Sequence, residues 1–297
     1  MESILIVRNS KSGLIDQGEE IKEGIFFLKE SGFLVHEIYI EDVISKEHFD
    51  KKCVKYTPKT VIALGGDGTV NLLANHLVGS EIRLAVIPYG TFNHFAKHIG
   101  IGTEIKGAFE TVITGETINI DTAEVNGKVF VNFSCVGFYS QLIKRRVTYQ
   151  KMAWKKWTAF AIAVFKSVIN FTSFNLQIKK NDKEIAIKTP LIFVGNNIFE
   201  FGGPDILSAR DDFNSGTLHI SIAKDRGRLG ILWLLILSLF IDIKNKAGFT
   251  TIALKEIEIN SKYSSLWVSL DGEIVKMATP LKYIIRPQSL RVIVPKD

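Results

Sequence analysis

Cysteine is nearly absent from this chain of 297 residues: only Cys53 and Cys135 occur, and no Cys-x-x-Cys pair. That excludes a disulfide framework and a cysteine-rich zinc module, and fits two inert thiols in a reducing compartment. The six histidines are scattered. His94 and His98 share a helical spacing, but no neighbouring carboxylate or cysteine completes a metal site. The start, Met1-Glu2-Ser3 followed by Ile4-Leu5-Ile6-Val7, lacks the basic and apolar regions of a secretory leader. The expected location is therefore cytoplasmic. Lipidation signals, internal repeats and low-complexity linkers are missing, as are the Walker and Rossmann glycine patterns.

What is present is a globular composition, 46% hydrophobic and 23% charged, with a formal net charge of +6. The length suits two domains of ordinary size. The positive balance suits an anionic partner, whether a nucleotide, a nucleic acid or an anionic membrane face. No aromatic-and-basic recognition motif accompanies it, so nucleic acid is not expected.

Up to about residue 117, short apolar runs alternate with helical periodicity. Residues 4–7, 33–40, 61–64 and 84–87 read as strands; 18–30, 46–55, 71–77 and 92–98 read as helices. Alternation of this kind predicts a mainly parallel sheet covered on both faces. The texture then changes. Residues 118–125 and 129–135 flank Asn126-Gly127, a tight-turn pair. Further strand-like runs cover 174–179, 185–188, 191–194, 217–223, 252–259, 266–270, 281–286 and 290–294, with helices expected at 143–171 and 229–244. Strands in such succession predict a β-sandwich. The expected organisation is an α/β domain over residues 1–120 and a β-sandwich domain over 121–297, the extreme C-terminal strand returning to the first domain.

Three polar turns follow strands of the first domain. Gly65-Gly66-Asp67-Gly68-Thr69-Val70-Asn71 comes straight after residues 61–64. Glycines there let backbone N–H groups approach a phosphate, and the following helix adds the positive end of its dipole. Asp67 would repel a bare phosphate; a bound Mg²⁺ between them removes that objection. A tight turn capped by Asp67 or Thr69 explains the same residues. Pro88-Tyr89-Gly90-Thr91-Phe92-Asn93-His94-Phe95-Ala96 and Asn9-Ser10-Lys11-Ser12-Gly13 follow two other strands. In a parallel sheet all three turns share the carboxyl edge, where ligands bind.

Together with Asn119-Ile120-Asp121, Gly202-Gly203 ahead of Asp212, Asp271-Gly272-Glu273 and Pro287-Gln288-Ser289-Leu290-Arg291-Val292, these motifs resemble the bacterial diacylglycerol kinase and lipid kinase family, related to sphingosine kinases and more distantly to NAD kinases. The resemblance runs in order through nearly the whole chain. It implies an ATP site between an α/β domain and a β-sandwich domain, lined by Asn9, Lys11, Ser12, Gly13, Gly65, Gly66, Asp67, Gly68, Thr69 and Asn71, with Thr91 and Asn93 beside it. It further implies that Asp67 acts through Mg²⁺, that Asp121 supports it, and that Glu273 accepts the proton of a lipid hydroxyl. A residue that orients or deprotonates the nucleophile is what phosphoryl transfer needs beyond positioning and charge neutralisation. An ordinary Asp-Gly hairpin with a solvated glutamate fits the spacing of Glu273 equally well.

One stretch departs from the family. A structural Mg²⁺ site, expected from Asp212, Ser215 and Thr217, carries Ser215 where the family has a carboxylate, and a hydroxyl is the weaker ligand. The threonine that some members carry near the end of the second strand is replaced by Ile40-Glu41.

Residues 229–241 are apolar apart from Gly230 and Ser238, but span only about 20 Å, too short for a bilayer. Trp154, Trp157 and Phe165 beside Lys144, Arg145, Arg146, Lys151, Lys155 and Lys156 fit peripheral docking on an anionic membrane, and also fit a packed helix with a solvated basic end. The expected partner is a lipid substrate at such a surface. An NAD kinase and a non-catalytic lipid- or nucleotide-binding regulator are the competing readings.

Overall fold

The computed structural model describes residues 1–10, 18–91, 93–137, 174–180, 183–196, 199–201, 207–209, 214–225, 227 and 249–296. The chain divides into two compact units. One comprises residues 1–122, 129–131 and 286–297; the other comprises 123–128 and 132–285.

The first unit is α/β. Its strands β1 (Ser3–Arg8), β2 (Leu34–Tyr39), β3 (Thr60–Gly65) and β4 (Arg83–Pro88) are parallel in the order β2-β1-β3-β4. The end of the chain's last strand, Leu281–Val294, adds beside β4 in parallel, with Val292 opposite Leu84. All six residues of β3 are buried. That is why its sequence reads as a continuous apolar run and does not alternate.

Helix α1 (Gly18–Glu30) buries Ile21, Gly24, Ile25 and Leu28, the one-face spacing of a surface helix. Helix α2 (Lys46–Tyr56) starts where the Ser45 hydroxyl accepts from the His48 N–H. Helix α3 (Asp67–Leu77) begins immediately after the glycine pair, and α4 (His94–His98) is a single turn. Helix α5 (Ile105–Thr114) is absent from the sequence reading, although its buried residues Ile105, Ala108, Phe109 and Val112 repeat at helical spacing. Its Phe109 ring fills the space that a Cβ on Gly24 would occupy, so α1 and α5 meet at a residue without a side chain.

Strand β5 (Glu116–Val125) leaves the first unit, the Asn126-Gly127 turn has positive φ at both positions (47° and 82°), and β6 (Lys128–Phe130) returns. This is the backbone demanded by a two-residue hairpin turn.

The second unit contains β7 (Phe133–Gly137), β8 (Phe174–Lys180), β9 (Lys183–Thr189), β10 (Leu191–Gly195), the short pair β11 (Phe199–Phe201) and β12 (Leu207–Ala209), β13 (Leu218–Ala223), β14 (Phe249–Leu254), β15 (Glu256–Ser261), β16 (Ser265–Leu270), β17 (Glu273–Ala278) and the start of β18 (Leu281–Val294). Six strands form one antiparallel sheet in the order β14-β13-β10-β7-β16-β17; β18, β15, β8 and β9 form the other. The sheets face each other across Tyr283. Its hydroxyl lies 3.0 Å from that of Ser134 on β7, and burial pushes its pKa up. The second unit is therefore a β-sandwich.

Two expected runs differ in the structure. Residues 252–259 are two strands, not one, because the chain leaves one sheet at Leu254 and joins the other at Glu256, with the Lys255 carbonyl accepting from the Ile285 N–H. Conversely, 281–286 and 290–294 are one strand, carried through Pro287 by Gln288 at φ 48°. The helices expected at 143–171 and 229–244, with their tryptophans and basic residues, lie outside the described residues. Among the described residues no helix is long and apolar enough to cross a membrane.

Candidate active site

In the first unit, β1, β3 and β4 end at one edge, and their three turns are knitted together. The Asn9 N–H donates to the Leu64 carbonyl (3.1 Å), and its side-chain amide donates to the Thr69 hydroxyl (3.2 Å). The Tyr89 N–H donates to the Gly65 carbonyl at 2.9 Å. A Cβ on Gly90 would stand 2.4 Å from the Gly66 Cα, and one on Gly65 would stand 2.3 Å from the Thr69 hydroxyl oxygen. The glycines are thus required for the close approach of one turn to the next, a constraint beyond any ligand. At Gly66, with φ −97° and ψ −169°, the backbone is ordinary extended chain.

Asp67 is half-buried at the first position of α3, and its Oδ1 accepts from the Phe95 N–H of α4 at 3.1 Å. The carboxylate thus does not cap its own turn; it reaches across to the first turn of α4. One carboxylate oxygen is used this way; among the described residues no hydrogen bond reaches Oδ2. The N–H groups of Asp67 and Gly68, at the start of α3, have no partner within the helix. N–H groups without a partner in their own helix, a helix N-terminus and one half-exposed carboxylate are a set that suits an anionic phosphate accompanied by a divalent cation.

Other predicted site residues are engaged elsewhere in the same unit. The Asn93 side chain folds back on its turn, accepting from the Gly90 N–H and donating to the Gly90 carbonyl, both at 3.0 Å, with Asn93 itself at φ 53°. The Asn71 amide donates to the Val129 carbonyl at 3.3 Å. Asn75, which the sequence reading did not single out, holds both polar groups of Val129: it donates to the carbonyl at 2.9 Å and accepts from the N–H at 2.8 Å. Thr91 is exposed, and Thr69 is buried. Asp121 is buried on β5, and its Oδ1 accepts from the Gln288 N–H at 2.8 Å, fixing the irregular point of β18. Lys11, Ser12 and Gly13 lie outside the described residues, as does Asp212.

In the second unit, Glu273 opens β17 directly opposite Leu270. The intervening Asp271 and Gly272 have φ 46° and 89°, the tight hairpin turn that Asp-Gly favours. Glu273 is exposed, yet enough protein surrounds its carboxyl to push its pKa up by desolvation; the charge of Lys128 acts in the opposite sense. Asp271 was read only as a turn residue, but it is buried, and its Oδ1 accepts from the N–H groups of Asn132 and Phe133, each at 2.9 Å. The Ser215 hydroxyl donates to the Thr217 carbonyl (3.2 Å) and accepts from the Thr217 hydroxyl (3.4 Å), so both side chains serve a local turn. Among the described residues no group of three or more His, Cys, Asp or Glu is gathered for a metal.

The first unit therefore defines a class: an α/β domain with closely packed glycine turns at the carboxyl edge of its sheet. Residues 3–125 match the family model of the diacylglycerol kinase catalytic domain. A YegS-like protein of Klebsiella pneumoniae (strain 342), whose name assigns it as a lipid kinase, is 32% identical over 141 residues, 46% of each chain. The chain thus spans under half the length of that relative. A Staphylococcus aureus (strain JH9) protein, also assigned by name as a lipid kinase, is 27% identical over 246 residues, covering 79% of this chain and 76% of the other. A crystal structure from Bacillus anthracis (strain Sterne), assigned as a diacylglycerol kinase, superposes with TM-score 0.74 at 24% identity, over 99% of this chain and 97% of that one. That likeness establishes the two-domain fold. The motifs and the comparisons point the same way: residues 3–125 match the diacylglycerol kinase catalytic domain, and the relatives with the same kind of chain are named as lipid kinases.

Proposed function

We propose that this protein is an ATP-dependent lipid kinase that transfers the γ-phosphoryl group to a hydroxyl of diacylglycerol, phosphatidylglycerol or a similar lipid at an anionic membrane surface. The observation that carries the reading is the packing of the Gly66 turn on the Gly90 turn with Asp67 between α3 and α4, within the segment that matches the diacylglycerol kinase catalytic domain. The relatives' names support the lipid acceptor.

In this reading the N–H groups at the start of α3 bind phosphate oxygens, and the Asp67 carboxylate would hold the Mg²⁺. The metal supplies neutralisation of the charge on the transferring phosphate. Glu273 takes the proton of the lipid hydroxyl as its oxygen bonds to the γ-phosphorus. The bond from that phosphorus to the bridging oxygen of ADP breaks, and ADP leaves with the electron pair. A carboxyl lifted by burial is a stronger base once ionised, which suits this role.

Incubation of the protein with Mg-ATP labelled at the γ-phosphate and a total lipid extract in mixed micelles tests the proposal. A labelled lipid that is absent with Asp67→Ala is the expected result. An unlabelled lipid fraction, with ATP still bound, contradicts it and moves the assignment to the non-catalytic regulator.

A further inference from the structure

We infer that Asp271 is a positioning residue for this transfer: its buried carboxylate clamps the start of β7 and so fixes the two-residue turn that presents Glu273. The inference rests on the lipid-kinase reading. A tight turn of this kind needs only a residue that tolerates positive φ, and Asn or Gly at position 271 would supply it. A turn carboxylate is ordinarily left in water. Asp271 is only 8% exposed, and a buried carboxylate is tolerated where hydrogen bonds replace its hydration.

The replacement here is specific. Both N–H groups at the entry to β7, Asn132 and Phe133, donate to one oxygen, while the Asp271 N–H donates to the Phe133 carbonyl at 2.9 Å. Three bonds thus lock the turn to residues 132–133. Lys128, whose charge acts on Glu273, lies four residues before Asn132 on the same connecting segment. The clamp therefore fixes the turn from which Glu273 opens β17. Asp271 touches no reacting atom in this scheme; it acts through Glu273.

The test is a double-mutant cycle on the full chain in the labelled-phosphate assay, with melting temperature and Mg-ATP binding measured alongside. Asp271→Gly keeps the turn and deletes the carboxylate. It is expected to lower kcat about ten- to a hundred-fold with little change in KM for Mg-ATP. Asp271→Asn, which keeps an acceptor oxygen, is expected to restore most of the rate. In a Glu273→Gln background Asp271→Gly is expected to cost almost nothing more, because the two act as one unit. Should Asp271→Gly not fold, Asp271→Ser, with a shorter acceptor, takes its place in the cycle. An unchanged kcat, failure of Asn to rescue, or losses that multiply in the double variant overturn the inference alone. A wild type that binds Mg-ATP but phosphorylates no lipid overturns the lipid-kinase reading and this inference with it.

Discussion

Gly66 and Gly90 pack backbone on backbone: the Cα of one occupies the space where the other would carry a side chain. Two strand-to-helix turns thereby become one rigid edge, and the predicted phosphate contacts inherit that rigidity. Gly90→Ala is expected to force the turns apart, at about 1–3 kcal/mol in stability, typical of overpacking. Mg-ATP affinity should fall with it. Calorimetric binding and thermal melting check both; a variant with unchanged affinity would show that the contact is structural alone.

In the proposed function Asp67 combines its contact to Phe95 with a role at the divalent cation, and one substitution separates the two. Asp67→Asn keeps an oxygen for the Phe95 N–H but removes the charge that a divalent cation needs. The expected outcome is a melting temperature close to wild type with phosphoryl transfer reduced by at least about a hundred-fold. Full activity in Asp67→Asn would leave the carboxylate only its capping role.

Asn75 anchors α3 to β6 through both polar groups of Val129. Asn75→Ala leaves the Val129 N–H without this partner and its carbonyl with the Asn71 amide alone, and is expected to destabilise the first unit by about 1–3 kcal/mol. Urea unfolding monitors this directly.

As the proposed base, Glu273 is expected to give the reaction a pH dependence. Its carboxyl titrates above the ordinary glutamate value, because burial penalises the charged form. A base must be ionised to work, so kcat is expected to rise with pH through that elevated value, and Glu273→Gln should remove the limb. For stability the sign is opposite. With the folded pKa above the unfolded one, the contribution of this group is present below the unfolded value and lost as pH rises through the folded value. Glu273 is exposed, so the stability effect is small; melting of wild type and Glu273→Gln at acid and neutral pH should bracket it.

Much of the architecture was legible because local chemistry and tertiary demand coincide. The limits of α1, the buried run of β3 and the Asn126-Gly127 turn follow from period, burial and turn chemistry. Helix α5 carries the same kind of pattern on a scaffold punctuated by Gly102, Gly107 and Gly115, which hides it among breakers. The split at Lys255 and the continuity through Pro287 could not be read locally, since each is decided by which sheet offers a pairing edge. Within the candidate site, the glycine motif pointed to phosphate, while the contact between Gly66 and Gly90 depends on two turns far apart in sequence. Asp271 was hidden for the same reason: its partners Asn132 and Phe133 lie 139 and 138 residues away.

The central claim is the identity of the phosphate acceptor. The most direct measurement offers lipid extract and NAD together to the protein with labelled Mg-ATP, followed by separation of the organic and aqueous phases. Label in a phospholipid of the organic phase, lost in Asp67→Asn and in Glu273→Gln, is the predicted result. Label recovered only as NADP or as free phosphate would contradict it.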